Sequence, residues 1–436
     1  MKSKKLISIV ISLCMVMTGI MCCLGCDGEK SYVDTSNAAV PGQFDNPEIA
    51  KAKEAEDDEA GREHIEIPEG AETIEIDGEI YYPIDSLDID SYTYGADYLS
   101  KNYILTGDVD ITGDDRYIGE VYDFRFGNFS KFDIPFTGKF NGNNYKIYGE
   151  SKRYIFDYVK DAYITNFVLS SDLTVANKGR HKERTLCARA ENSVIKNIIN
   201  YSRVDGGGGL ISHALNCRIE NVINYGDGKD SDAAIVGKLI SGTVNNCKNF
   251  GNFVSRVYGS DKIQISDSLG GIVGEVWLPN VDGVERDSSV IENCDNYGNI
   301  IGVIYVGGIV GEVSVHFYYD SKSFKENKSI IRNCNNYGNI YRNKNFENLN
   351  NYYRAIFKYF GGIAGFGSYI ENCVNEGNIY GFESIHPKDS ISYIGGITGV
   401  AWQVTDCKNN NKLNVDGRAK NTDDICGYIL KSDKRG

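Results

Sequence analysis

The stretch Ile331-Arg-Asn-Cys-Asn-Asn-Tyr-Gly-Asn339 decides the fold, because the same positions recur along much of the chain. Copies begin at Ile164, Ile195, Ile219, Val244, Ile291, Ile331, Ile370 and Val404. Each reads as a β-branched residue, a polar residue, Asn or Asp, an apolar residue and a variable residue, followed by Asn in every copy except the first, which has Leu169. Tyr-Gly-Asn and another apolar residue commonly follow. A second element precedes most copies, as in Gly270-Gly-Ile-Val-Gly274, Gly307-Gly-Ile-Val-Gly311, Gly361-Gly-Ile-Ala-Gly365 and Gly395-Gly-Ile-Thr-Gly399.

The tightest spacings between copies are 24 residues (195 to 219) and 25 residues (219 to 244). A period in the twenties that holds two short strand-like elements suits one turn of a β-solenoid. Neither element is long enough to bury its own apolar side, and stacking turns at about 4.8 Å makes a continuous core. Eight rungs at that spacing predict a rod of about 40 Å. Gly pairs mark corners that need positive φ or close backbone approach. Asn tolerates left-handed backbone, and stacked Asn side chains bond from rung to rung. Asn197, Asn221, Asn246, Asn293, Asn333 and Asn372 form one expected column; Asn200, Asn224, Asn249, Asn296, Asn336, Asn375 and Asn409 form another. The same residue on every rung points to structure rather than catalysis.

The paired elements resemble the GLUG-motif repeats of bacterial surface proteins, adhesin-like proteins and the non-catalytic part of IgA-specific metallopeptidases. Upstream, Asn102-Tyr-Ile-Leu-Thr-Gly-Asp-Val-Asp-Ile-Thr112 and Pro135-Phe-Thr-Gly-Lys-Phe-Asn-Gly-Asn-Asn-Tyr-Lys-Ile147 resemble the segment that opens such arrays, except that Asn144-Tyr145 stands where the family often has Gly-His. The resemblance covers about residues 92 to 427. It implies an all-β fold, a right-handed parallel β-helix, on a cell surface. It says little about activity, since such modules occur in proteins of many roles.

Composition agrees with an all-β chain. The 436 residues include 48 Gly, 30 Tyr, 18 Phe and only 7 Pro, a balance that favours strands and tight turns. The net charge of −14 argues against nucleic acid as a partner. Lys2, Lys4 and Lys5 precede an apolar run from Leu6 to Leu24, which reads as an export signal. Cys23-Leu24-Gly25-Cys26 resembles the lipobox of bacterial lipoproteins, with Cys23 in place of the usual first Leu. The resemblance implies a signal peptide over 1–25, lipidation at Cys26 and membrane attachment; an uncleaved anchor and a plain secretory signal are the alternatives. Residues 26–62 read as an acidic linker, with eight acids and three bases between Asp45 and Glu63 and a short helix start at Asn46-Pro47. Residues 63–90 read as a lead segment containing a hairpin, since apolar residues alternate on both sides of Asp77-Gly78. The solenoid is then expected over 91–427 and a tail over 428–436.

Cys247, Cys294, Cys334, Cys373 and Cys407 share one repeat column, occupied in earlier copies by Phe167, Ile198 and Val222. A column that exchanges Cys with Ile, Val and Phe belongs to the core, where free Cys behaves as a small hydrophobe. Rung spacing allows a disulfide within it, but five in-register members cannot all pair. Cys187 and Cys426 sit in degenerate Gly-type elements and read as core. Cys217, outside the ladder, is the expected exposed thiol. No paired C-x-x-C lies beyond the export segment, so zinc is not expected. Neither H-E-x-x-H nor G-x-S-x-G occurs, and zinc peptidase chemistry has no residues here. Asp108, Asp110, Asp114 and Asp115 fit no established calcium loop. No cofactor is expected.

Insertions interrupt the later rungs at 275–290, 312–330, 341–360 and 380–394. They carry Phe317, Tyr318, Tyr319, Tyr352, Tyr353, Tyr359 and Phe360, which offer flat area for a glycan or a surface or host protein. The opposing reading is that these rings cover the side of the rod as a satellite core. The expectation is a monomeric, non-catalytic surface lipoprotein that binds or adheres through these loops. A β-helix polysaccharide lyase or hydrolase is the alternative from another class, and a passive envelope spacer is the third.

Overall fold

The computed structural model describes residues 62–87, 89, 96–113, 118–120, 133–151, 154–175, 186–206, 208–255, 268–277, 287–314, 316–317, 324–325, 327–343, 358–367, 369–382, 392–411, 413–415 and 422–430. The fold is all-β, a parallel β-solenoid. One late coil shows the plan. Tyr305–Gly307 lies on a face of five strands, Val310–Val313 on a face of nine, Ile330–Arg332 and Asn335–Asn336 on a face of nineteen, and Ile340–Arg342 on a face of six. The nine-stranded face carries the Gly-type element and the nineteen-stranded face the Asn-type element; they are called the Gly face and the Asn face below. Pairing between coils is parallel and in register, for example Val290↔Ile330, Ile291↔Ile331 and Glu292↔Arg332.

Two residue choices make this coil possible. The first Asn of each copy sits at positive φ: 55° at Asn197, 56° at Asn221, 53° at Asn333 and 48° at Asn372. There it kinks the Asn face and exposes its amide, which donates to the coil before it, as from Asn221 Nδ2 to Asn197 Oδ1 at 3.0 Å. The second Asn is buried and donates the opposite way, as from Asn296 Nδ2 to Asn336 Oδ1 at 2.8 Å, while also donating to the carbonyl of Gly298 at 2.8 Å. This column runs without a break from Asn200 to Asn409. It satisfies amides that would otherwise be buried at a cost of about 1–3 kcal/mol each.

The Gly pairs at 270–271, 307–308, 361–362 and 395–396 serve close approach rather than positive φ, whereas Gly208 (φ 85°) and Gly209 (φ 69°) need the left-handed backbone as well. A Cβ on Gly308 would lie 2.2 Å from the Gly362 carbonyl oxygen and 2.3 Å from the Asn336 side chain. The Gly corner therefore packs directly on the buried Asn of its own coil, which is why the two sequence elements travel together. Inside, Ile291, Ile331 and Ile370 stack with Ile309, Ile363 and Ile397 in one continuous core. The core changes along the rod. Phe136, Phe140, Phe156 and Phe167 interlock at one end, with ring centroids 5.2–6.2 Å apart. Thiols replace them at the other.

The solenoid outruns the eight sequence copies at both ends. The Gly face holds nine strands, from Phe156–Lys160 to Cys426–Ile429, so residues 428–430 belong to the rod rather than to a tail. The Asn face begins earlier, with Tyr103↔Phe140 and Phe140↔Ile164. The hairpin forms around Asp77 (φ 52°) and Gly78 (φ 80°), and its second strand, Glu79–Ile84, pairs in parallel with Tyr103–Leu105. The lead segment is thus a cap on the same sheet. Its Glu79 binds Lys139 at 2.9 Å, and that lysine lowers the Glu79 pKa. Upstream, Ile65 N donates to Asn143 Oδ1 at 2.7 Å and His64 stacks on Tyr145 at 4.1 Å. Asn144 has φ 59°, which accounts for an Asn where the resembling family has Gly.

Candidate functional site

The coil built from Ile300–Gly302 and Tyr305–Gly307 turns its corner with only Val303 and Ile304, both buried. Other coils hold 256–267, 344–357, 383–391 and 416–421 at this same corner. The strands that bracket them are paired to one another: Val254↔Ile301, Ile301↔Tyr341 and Tyr341↔Tyr380 on one side, and Ser268↔Tyr305, Tyr305↔Tyr359 and Tyr359↔Tyr393 on the other. The strand ends that bracket the four segments therefore lie along a single edge of the rod. The segments 278–286 and 315–326 share the corner between the Gly face and the Asn face. There His316–Phe317 pairs antiparallel with Phe324–Lys325.

The expected recognition residues divide accordingly. Phe317 lies in that short antiparallel pair; Tyr318, Tyr319, Tyr352 and Tyr353 lie outside the described residues, as do Cys26, the export signal and the acidic linker to residue 61. Tyr359 and Phe360 require correction. They belong to a rung strand, Lys358–Gly361, and are buried. Tyr359 stacks between Tyr305 at 4.9 Å and Tyr393 at 5.3 Å, with Phe366 edge-on at 5.6 Å. Tyr359 thus joins a buried side stack, as the satellite-core reading expects, while Phe360 belongs to the main core of the rod. The insertion itself spans 344–357, with Arg342, Asn343 and Lys358 buried at its base. The segments 256–267 and 416–421 at the same edge were not recognised as insertions in the sequence. Their flanking strands are too short to show a period of two.

A second aromatic stack runs outside the Asn face through Tyr201, Tyr225, Phe250, Tyr297 and Tyr337, at centroid spacings of 5.2, 4.9, 4.6 and 4.7 Å. These are the Tyr and Phe before Gly in the repeat. Ring covers ring, so the flat faces are occupied within the stack. Asn252, Asn299 and Asn339 form a third Asn column, whose side-chain oxygens each accept the backbone N–H of the equivalent residue in the next coil at 2.9–3.0 Å.

One ion cluster spans adjacent coils of the Gly face. Arg189 pairs with Glu191 and lies 3.6 Å from Asp133, Tyr158 donates to Glu191 Oε2 at 2.9 Å, and Lys160 approaches the same carboxylate at 3.8 Å. Burial, reinforced by Glu191, pushes the Tyr158 hydroxyl pKa upward. Arg189 and Glu191 are buried and bonded to one another, the arrangement that makes such a group tolerable in a core. Asp108 accepts from the Lys146 backbone of the next coil at 2.7 Å and Asp110 from Thr112 in its own turn at 2.9 Å; Asp114 and Asp115 lie outside the described residues.

Cys247, Cys294, Cys334 and Cys373 are buried and stacked coil upon coil, and Cys407 is half-buried in the last coil. All are free thiols. Burial raises the pKa of Cys247, Cys294 and Cys334 well above the ordinary thiol value. Cys217 is also buried, contrary to the expectation of an exposed thiol, and burial pushes it up to about 12. It occupies a column of small corner residues with Ser193, Gly242, Ser289 and Ser329, each preceding the first strand of the Asn element. That column was visible in the sequence two positions before the first residue of each copy. Trp277 lies with Lys238 over its ring at 4.5 Å.

Among the described residues no helix is long and apolar enough to cross a membrane. No family model matches this sequence, and no curated protein does.

Proposed function

We propose that this protein is a non-catalytic binding protein of a bacterial cell surface, of the GLUG-repeat kind, attached through lipid at Cys26 and engaging a glycan or a surface protein through loops on one edge of the rod. The observation that carries the reading is the bracketing of 256–267, 344–357 and 383–391 by strands that pair in register from coil to coil. A rigid scaffold that launches several dissimilar segments from one edge is suited to recognition. The segment 344–357 contributes Phe346, Tyr352, Tyr353 and Phe357, side chains that give contact area at low entropy cost. Several weak contacts along one edge suit multivalent attachment.

The enzyme alternative draws on Arg189, Glu191, Asp133 and Tyr158, an acid pair beside cations on adjacent coils. Their burial and mutual pairing argue against it, because a catalytic carboxylate has to reach substrate. The test is an array of glycans and matrix proteins probed with the full chain, repeated with residues 345–356 replaced by a short Gly-Ser linker. Binding that is lost with the linker supports the proposal. Binding that survives, or bond cleavage that is lost in Glu191→Gln, overturns it. No binding at all favours the spacer.

A further inference from the structure

The thiol column has a property that an Ile or Val column lacks: a soft ligand atom in every gap between coils. Cys334 N–H donates to the sulfur of Cys373 at 3.5 Å, and Cys373 N–H to the sulfur of Cys407 at 3.4 Å. Cys294, Cys334 and Cys373 place their sulfurs 3.7, 3.8 and 3.8 Å from carbonyl oxygens of the preceding coil. All the sulfurs lean the same way, so they repeat with the pitch of the strands, about 4.8 Å. Two metal–thiolate bonds of about 2.3 Å laid end to end span about 4.6 Å. A linear sulfur–metal–sulfur bridge therefore fits the gap without moving the backbone.

We propose that Cys247, Cys294, Cys334, Cys373 and Cys407 form a binding site for a soft monovalent d10 cation, copper(I) or silver(I), in two-coordinate bridges between successive coils. Geometry restricts the metal class. Among the described residues no three His, Cys, Asp or Glu side chains converge on one point, so the tetrahedral set that zinc requires is absent there. Thiolate selects soft ions. Charge balance restricts it further. Each ion displaces one thiol proton, R–SH + M⁺ → R–S–M + H⁺, with no change of oxidation state. Four gaps between five sulfurs take four ions against four protons released, and the fifth thiol keeps its proton, so the apolar core gains no net charge. The column is closed at one end by buried Val222, and among its described residues Cys407, half-buried at the other end, is where an ion would first meet sulfur.

The test is titration of the reduced full chain with silver(I) in chloride-free buffer without oxygen. Uptake is read by native mass spectrometry and by sulfur-to-silver absorption, with circular dichroism to show that the fold persists. Cys334→Val restores the residue type found at position 222 and removes two of the four bridges. It is expected to bind two fewer silver ions than the parent, whereas Cys217→Ala, which removes a buried thiol outside the column, is expected to bind the same number. Equal uptake by Cys334→Val and the parent, or uptake only after the protein unfolds, overturns the proposal.

Discussion

At the scale of single residues, the two Asn positions of the repeat do different work and should fail differently. Asn333 is there for its backbone (φ 53°). Asn333→Gly should leave stability nearly unchanged, while Asn333→Val should cost about 1–2 kcal/mol from left-handed strain. Asn336 is there for its amide, which serves the Gly338 carbonyl and Asn375 and accepts from Asn296. Asn336→Ala should cost about 2–4 kcal/mol, because several buried partners lose their bond at once. Equal costs at the two positions, measured by urea unfolding, would sink this division. Cys334 gives a third contrast. Val should be tolerated, whereas Ser buries a hydroxyl and should cost about 1–3 kcal/mol.

At the scale of the column, burial raises the thiol pKa in the folded protein above the ordinary value of 9.0 at Cys247, Cys294 and Cys334. A raised folded pKa favours the protonated form. The stabilisation is thus fully present below about pH 9 and is lost as pH rises above it, when the unfolded chain ionises and the folded one resists. The thermal midpoint should fall above pH 9, and it should fall less in Cys294→Val; identical pH profiles would count against buried neutral thiols. The segment 344–357 makes the opposite demand. Arg342 and Lys358 are buried rung residues, so a deletion must stay inside them. Replacing 345–356 should leave the thermal midpoint nearly unchanged, whereas removing Lys358 as well should lower it.

At the scale of the whole molecule, the two ends differ. The hairpin and residues 62–65 cover the first coils. In the last coil Cys407, Leu413 and Ile425 are only partly buried, and Tyr428 and Ile429 are exposed. Deleting 62–84 should bare a second strand edge and drive self-association, visible as a larger species on size-exclusion chromatography. The middle of the rod was legible in the sequence because Asn and Gly each occupy columns that tolerate few substitutes. The first coils were not, because Tyr103, Phe140 and Ile164 fill the same core with ordinary apolar residues and leave no signature. The edge of insertions was half legible. A long interruption announces itself, but its limits are set by buried strand residues such as Tyr359, whose aromatic character resembled that of the loop.

The opposed directions of the two amide columns have an electrical consequence. Each amide carries a dipole of about 3.5 D, comparable to a peptide unit in a helix. Were both columns to point the same way, every added coil would build polarity along the axis, as in an α-helix. Here Asn221 points toward the start of the chain and Asn224 toward its end, so the increments of these two columns oppose one another coil by coil. A duplicated coil would therefore enter the array with its donors and acceptors matched and with one column's polarity set against the other's, which leaves the length of the rod free to drift over evolution.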